Sequence, residues 1–305
     1  MKHRYTKQMK QMKQKKQKKG VFSAFFAIFA VAIFAASCSS SPRDSGEVLT
    51  LRMRSETQLE LGNREADRGN YEAALILLNE SRRLAIIADD PSLLVRTGLS
   101  RGNVLLSLGY IDDAFVQWEN AAFEAERIPN RELLAVSRIH IARGRLFSQE
   151  NAARSVLDEV RREMAAITSD QRYIAFSWLV LGLAHRGLGN FAEAEAAVRN
   201  SLNIHERYRH LEQAAYDWFV IASIRSLAGN LDGAIQALYS AIDLDRRTEN
   251  SWGLASDWRA MGDVQRRAGN HEAARQAYLR SAAIFRALGH EDTAAALEEM
   301  AGIRL

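Results

Sequence analysis

Three stretches in the second half of the chain share one pattern: residues 188–194 read LGNFAEA, residues 228–234 read AGNLDGA and residues 268–274 read AGNHEAA. Their glycines, Gly189, Gly229 and Gly269, lie 40 residues apart. Self-similarity at a fixed spacing of this size is the sequence signature of a repeat architecture. The pattern therefore predicts stacked copies of one forty-residue unit.

Related stretches continue the pattern toward the amino terminus. Residues 68–74 read RGNYEAA and residues 108–114 read LGYIDDA. The interval from Gly109 to Gly189 is 80 residues, so one unit lies between them, at residues 147–153, which read FSQENAA and contain no glycine. The sequence thus predicts six units, with turns near residues 69, 109, 149, 189, 229 and 269.

Each unit has the residue pattern of a helical hairpin. The glycine ends the first helix, where a left-handed backbone conformation costs least for a residue without Cβ. The acidic residues after it favour the start of the second helix, because the helix dipole is positive there. A small residue stands seven residues before each turn: Gly62, Gly102, Ala142, Gly182, Ala222 and Gly262. A large apolar residue stands nine residues after five of the turns: Leu78, Trp118, Val198, Leu238 and Tyr278.

Trp178, Trp218 and Trp258 stand eleven residues before the last three turns. Together with the small residue, the turn glycine and the alanine five residues after it, they resemble the tetratricopeptide repeat (TPR) from about Leu49 to Leu288. The forty-residue unit exceeds the usual 34 residues, which favours longer second helices. The resemblance implies an all-α fold, a right-handed α-solenoid of about six helix-turn-helix repeats over residues 48–290. The helical spacing of apolar residues in 291–305 predicts a C-terminal capping helix.

The chain begins with a leader. A lysine-rich run precedes Gly20, residues 21–34 carry no charge, and small residues lead into Cys38. This order predicts a signal peptide over residues 1–37. The polar, serine-rich residues after it predict a flexible tether over residues 38–47.

Residues 35–38, AASC, resemble the lipobox of bacterial lipoproteins. This resemblance implies that Cys38 carries a diacylglycerol, and Ser39 after it implies an outer-membrane anchor that faces the periplasm. Three alternatives remain open. The ordinary signal peptidase could cleave the leader and give a secreted protein, the leader could remain as an uncleaved anchor, or the lipid could attach the protein to the plasma membrane.

Composition excludes several classes of protein. The 305-residue chain is 47% hydrophobic and 26% charged, which suits a folded body, and its single cysteine rules out a disulfide framework. All eight lysines precede Gly20, and from Cys38 onward 32 arginines face 37 acidic residues. We expect no nucleic-acid partner, because the folded body has no excess of basic charge.

Motifs for chemistry are absent from the sequence. The stretch HERYRH separates His205 and His210 by five positions, so they do not share a helix face as zinc ligands would; we interpret both as solvated residues at the end of a helix. No nucleophile elbow or phosphate-binding loop is present. We therefore expect a non-enzymatic protein with no cofactor, no metal and no small-molecule substrate.

The remaining candidate site is the concave groove that the first helices line in TPR proteins. The resemblance implies a groove for protein or peptide partners that is apolar in the middle and basic at the last unit. An alternative is that its apolar members are buried between neighbouring hairpins. The implied groove residues are Leu59, Asn63, Leu99, Asn103, Ile139, Arg143, Phe176, Leu179, Tyr216, Phe219, Arg259 and Arg266.

Two functions follow as hypotheses. The first is a lipid-anchored scaffold that holds protein partners in the bacterial envelope. The second is a regulator whose superhelix changes shape when it binds a peptide ligand.

Overall fold

The computed structural model describes residues 45–302 of the chain. The chain divides into two compact units, residues 1–50 and 51–305, and the described part of the first unit is the start of a helix. Residues 45–302 form thirteen α-helices, with no strand in this range. None of these helices is long and apolar enough to cross a membrane. The predicted signal peptide, Cys38 and most of the predicted tether lie outside the described residues.

The helices alternate as first and second members of six hairpins, and a thirteenth helix follows. The first helices are α1 (Ser45–Asp67), α3 (Pro91–Ser107), α5 (Arg131–Ser148), α7 (Gln171–Gly187), α9 (Leu211–Leu227) and α11 (Ser251–Arg267). The second helices are α2 (Tyr71–Ile87), α4 (Ile111–Glu126), α6 (Ala153–Met164), α8 (Phe191–Tyr208), α10 (Leu231–Arg247) and α12 (His271–Ala287), with α13 (Glu291–Met300) after them. The predicted all-α solenoid of helical hairpins is confirmed.

The turn glycines adopt the left-handed conformation that the sequence predicts. Gly69 has a φ of 81°, and the other four turn glycines have φ between 74° and 84°. In the first turn the backbone N–H of Gly69 donates to the carbonyl of Ala66 at 3.0 Å, and the N–H of Asn70 donates to Glu65 at 2.9 Å. These bonds satisfy carbonyls at the helix end that have no partner within the helix.

Left-handed residues also occur between hairpins, where the sequence pattern does not mark them. Asp89, Arg209 and Glu249 have φ of 47°, 58° and 56°, and Gly289 has φ of 85°. The last three follow one another at the forty-residue spacing. Since a left-handed conformation costs a non-glycine residue about 1–2 kcal/mol, packing of the flanking helices must hold these turns.

Small residues on the first helices allow close contact with the second helices, as predicted. A Cβ added to Gly102 would lie 2.2 Å from Nε1 of Trp118, and one added to Gly262 would lie 2.5 Å from Cδ1 of Tyr278. Trp118 is fully buried, and its indole N–H donates to the carbonyl of Leu99 at 3.2 Å. The hairpin interior therefore depends on this pairing of glycine with a large side chain.

The third hairpin departs from the others at its second helix. Helix α6 has 12 residues, and the connection after it is held by Glu132 of α5. One carboxylate oxygen of Glu132 accepts the backbone N–H groups of Thr168, Ser169 and Asp170 at 3.0, 2.9 and 3.1 Å. The carboxylate of Glu132 thus binds the backbone N–H groups of the connection that follows the shortened helix.

Curvature places the first helices on the inner side of the solenoid. Contacts across successive hairpins join α3 to α5, α5 to α7 and α9 to α11, whereas in the described range no two successive second helices are in comparably close contact. Helices that approach each other on one face bend the array toward that face. The wall of first helices is therefore the concave wall on which the predicted groove residues stand.

Candidate partner-binding groove

The groove residues ten positions before each turn divide into buried and open members. Leu59, Leu99, Ile139 and Leu179 are each no more than 6% exposed, so they belong to the core. A partner cannot reach these four side chains, which supports the alternative of burial between hairpins for them. Phe219 is half-buried and Arg259 is exposed, so the open part of this row is at the carboxy-terminal end.

Groove residues six positions before the turns are more accessible. Asn63 is exposed, and Asn103 and Arg143 are half-buried. Arg143 donates from Nη2 to Oδ1 of Asn103 at 3.2 Å, which joins the second and third hairpins along the inner wall. Asn63, Asn103 and Arg143 therefore form a polar row along the groove.

Arg143 lies over aromatic rings and has no carboxylate partner within the described residues. Its guanidinium carbon is 5.5 Å from the ring centroid of Phe176 and 6.0 Å from that of Trp118. His140 stacks on Phe176 with centroids 4.1 Å apart. Burial, with a contribution from Arg143, lowers the pKa of His140 well below its usual range. At neutral pH the only charge of this cluster is therefore the guanidinium.

Toward its carboxy-terminal end, at the fifth hairpin, the groove carries exposed aromatic surface. The rings of Tyr216 and Phe219 are stacked at 6.2 Å on α9, and Tyr216 is 46% exposed. Aromatic side chains with one open face supply contact area at low entropic cost when a partner binds.

A cavity of about 430 Å³ lies beside this pair, at the last hairpin. It falls within the usual size of ligand pockets. Helix α11 contributes most of the wall, and α9, α12 and α13 complete it. The cavity is lined by Phe219, Trp252, Ser256, Arg259, Ala260, Asp263, Phe285 and Thr293.

The two predicted arginines of this end differ in availability. Arg266 Nη2 lies 3.5 Å from Oδ1 of Asp263, and its guanidinium stands over the ring of Tyr278. The hydroxyl of Tyr278 donates to the same oxygen of Asp263 at 2.8 Å. Arg259, in contrast, makes no ion pair with any described residue. Arg259 thus presents an unpaired guanidinium to a cavity whose lining is apolar at Phe219, Trp252 and Phe285.

The cavity also borders a long-range contact that joins the first hairpin to the fifth and the last. Trp252 lies edge-on to Tyr71 at 5.6 Å, and a Cβ added to Gly69 would meet its indole at 2.6 Å. The amide of Gln213 donates to Oδ2 of Asp67 at 3.0 Å. We call these residues, Asp67, Gly69, Tyr71, Gln213 and Trp252, the closing contact.

Sequence reasoning missed the closing contact and the role of Trp252. The corresponding positions of the preceding four hairpins hold Ser92, Glu132, Arg172 and Glu212. The available signal was a tryptophan at a position that is polar in the four preceding hairpins. A large apolar side chain is unexpected at an exposed position unless another element covers it.

The histidines of HERYRH are placed differently from the solvated interpretation. His205 is 6% exposed, and its Nδ1 is 2.7 Å from Oδ2 of Asp217 on the next hairpin. Ser201 also donates to Asp217, at 3.1 Å. His205 is therefore a structural residue between two hairpins, and the interpretation as a solvated side chain is wrong for it. No group of three or more potential metal ligands occurs in the described residues.

Comparisons with known proteins agree with the fold. No family model matches the chain, and no curated protein matches it. A crystal structure of a Rap protein complexed with Competence and Sporulation Factor matches with a TM-score of 0.56 and 14% identity, over 82% of this chain and 74% of that one. BtubC (BKLC) from P. vanneervenii matches with a TM-score of 0.52 and 16% identity, over 77% and 92%. At such identities the likeness shows the fold, a solenoid of helical hairpins.

Proposed function

We propose that the chain is a non-enzymatic TPR scaffold that binds a protein partner in its concave groove and is held at the bacterial cell envelope by a lipid on Cys38. The observation that carries this proposal is the cavity at the last hairpin, where the open ring of Phe219 stands beside the free guanidinium of Arg259. Apolar surface next to an unpaired cation suits a partner segment with apolar and acidic side chains.

The position of the cavity supports a partner rather than a substrate. Most of its lining belongs to the first helix α11, and Phe219 in its lining stacks on Tyr216 of the first helix α9 at 6.2 Å. The carboxylate of Asp263 in its lining already accepts from the hydroxyl of Tyr278 at 2.8 Å and from Arg266 at 3.5 Å. We infer that binding, not bond chemistry, is what this surface performs.

Photo-crosslinking tests the groove directly. A photoreactive amino acid replaces Phe219 in the full chain, expressed in bacterial membranes, and the control carries it at Tyr239, which is 54% exposed on second helix α10. We expect a discrete crosslinked protein from position 219 that is lost in Arg259→Gln. Equal crosslinks from positions 219 and 239 would contradict the proposal.

The anchor is supported by the sequence of residues 35–38 alone. Changing Cys38→Ala should release the protein from membranes if the cysteine carries the lipid. Co-purification of the same partners by the released protein would separate binding from anchoring. A Cys38→Ala protein that stays in the membrane fraction would instead favour the uncleaved leader.

The closing contact favours a second candidate function. A solenoid whose first and last hairpins touch can open or close when a ligand binds near Trp252, which lines the cavity and also contacts Tyr71. The Rap protein of similar fold was crystallised with Competence and Sporulation Factor. We propose ligand-dependent change of shape as the alternative, with small-angle scattering as its test.

A further inference from the structure

Two exposed isoleucines mark the end of the first hairpin. Ile86 and Ile87 end helix α2 and are 51% and 50% exposed. The hairpins with a full-length second helix carry mostly charged residues at the same two positions. Those residues are Glu126 and Arg127, Glu206 and Arg207, Arg246 and Arg247, and Arg286 and Ala287. Among these five hairpins, an exposed apolar pair at this place therefore occurs only in the first.

Further apolar and basic side chains belong to the same end of this hairpin. On α1, Met53 is 65% exposed and is flanked by the exposed Arg52 and Arg54. The 3.1 Å ion pair between Arg52 Nε and Asp90 Oδ2 brings this part of α1 to the end of α2. We call the three apolar side chains, Met53, Ile86 and Ile87, the end patch.

Unpaired basic residues outnumber unpaired acidic ones around the end patch. Arg54 and Arg82 are exposed and make no ion pair with any described residue. Of the nearby acids, Glu80 is paired with Arg83 at 2.7 Å and Asp90 with Arg52, which leaves Asp89 as the exposed acid without an ion pair. Apolar side chains interspersed with free arginines are typical of surfaces that lie on an anionic bilayer.

The length of chain between the anchor and α1 points to the bilayer as the occupant. Six residues separate Cys38 from Ser45, where α1 begins. Even fully extended, that connection spans about 25 Å. The first hairpin is thus held close to the membrane surface if Cys38 carries a lipid.

We propose that the end patch rests in the headgroup region of the membrane, with Arg54 and Arg82 beside lipid phosphates, so that the solenoid is oriented by its first hairpin. This proposal depends on the membrane attachment proposed above. The membrane contact then belongs to the first hairpin, whereas the cavity belongs to the last one, so no residue takes part in both.

Fluorescence in reconstituted vesicles tests the contact. The full chain is inserted into vesicles of phosphatidylethanolamine and phosphatidylglycerol, with an environment-sensitive label on Ile87→Cys. Controls carry the label on Ile76→Cys, 70% exposed on the same helix, and on Tyr239→Cys. We expect a blue shift and strong quenching by a nitroxide lipid at position 87 alone.

The outcomes separate the proposal from its premise. Protein that fails to sediment with the vesicles overturns the attachment itself. Protein that sediments but shows the same emission at positions 87, 76 and 239 overturns the membrane contact only. A blue shift at position 87 that is already present in detergent, with energy transfer between labelled copies, assigns the end patch to self-association and also overturns it. Loss of the shift in Arg54→Gln/Arg82→Gln, with sedimentation unchanged, supports the role of the arginines.

Discussion

At the scale of single residues, the tightest contacts in the hairpins are those between a glycine and a large side chain. Gly102 leaves room for the indole of Trp118, which is buried and hydrogen-bonded to Leu99. Gly62, Gly182 and Gly262 face Leu78, Val198 and Tyr278 in the same way. The spacing of sixteen residues between the two partners makes this contact readable from sequence.

Gly102→Ala should lower the free energy of unfolding by about 1–3 kcal/mol, because the new methyl overlaps Trp118 and the core must shift. Urea unfolding followed by tryptophan fluorescence measures the change. Gly109→Ala is the matched comparison. Its Cβ would meet nothing within 4 Å, so any loss of stability there measures only the strain of alanine at a φ of 84°. A Gly102→Ala protein that is as stable as wild type would contradict this prediction, because the hairpin would then accept the added methyl group without cost.

A pair of buried carboxyl groups joins the fifth and sixth hairpins. Asp245 on α10 and Asp257 on α11 are 4% and 2% exposed, and Asn250 donates to Asp245 at 2.9 Å. Burial raises the pKa of both carboxyls, and the negative charge of Asp245 raises the pKa of Asp257 further. The folded protein therefore keeps a proton here that the unfolded chain releases.

Stability should consequently fall as pH rises from about 4 through the raised pKa of this pair, because the unfolded state binds fewer protons there. Asp257→Asn should remove much of that slope and stabilise the protein by on the order of 2 kcal/mol at pH 8. Urea midpoints between pH 4 and pH 8 measure it. Asp243→Asn, an exposed change on α10, the helix that carries Asp245, should leave the slope unchanged; equal slopes for all three proteins would contradict the raised pKa of this pair.

At the scale of elements, the last helix completes the core of the last hairpin. Leu297 of α13 is 2% exposed and lies in one cluster with Tyr278 and Phe285. Arg286 joins α12 to α13 through Glu298 at 2.6 Å and Glu291 at 3.1 Å. These surface ion pairs add little, so the apolar contact carries the capping role.

Leu297→Ala should cost about 2–4 kcal/mol of local stability, because it leaves a cavity between α12 and α13. Since each hairpin of a solenoid contacts mainly its neighbours, protection from hydrogen exchange should fall in α11 to α13 and persist in α3 to α5. Met300→Ala, at a position 37% exposed on the same helix, is the control. A uniform loss of protection along the chain would contradict the local character of the cap.

At the scale of the whole molecule, the closing contact joins the first hairpin to the fifth and the last. Three aromatic partners surround Trp252: Tyr71 at 5.6 Å, Phe285 at 5.2 Å and His290 at 4.9 Å. Partial desolvation and the charge of Glu212 raise the pKa of Asp67. We therefore expect closure to weaken as pH rises through the pKa of Asp67.

Trp252→Ala should increase the radius of gyration in small-angle scattering, because the first hairpin loses its contact with the last. Gln213→Glu should act in the same direction without removing core surface, since it adds a charge beside Asp67 and Glu212, and its effect should shrink at acidic pH. Trp218→Ala, outside the closing contact, serves as control. Unchanged dimensions in both variants would leave the solenoid rigid and remove the basis of the ligand-sensing alternative.

The sequence by itself determined the repeat: its glycines, small residues and large partners recur at a spacing of forty, and each recurrence concerns neighbours within one hairpin, where local rules of helix ends and packing decide the structure. It also supplied the open members of the groove, such as Phe219 and Arg259. Only the tertiary structure decided that Leu59, Leu99, Ile139 and Leu179 belong to the core, that His205 pairs with Asp217, and that Trp252 meets Tyr71. Those facts depend on how far each hairpin rotates against the next, a small angle that accumulates over six units and leaves no mark in the spacing of residues.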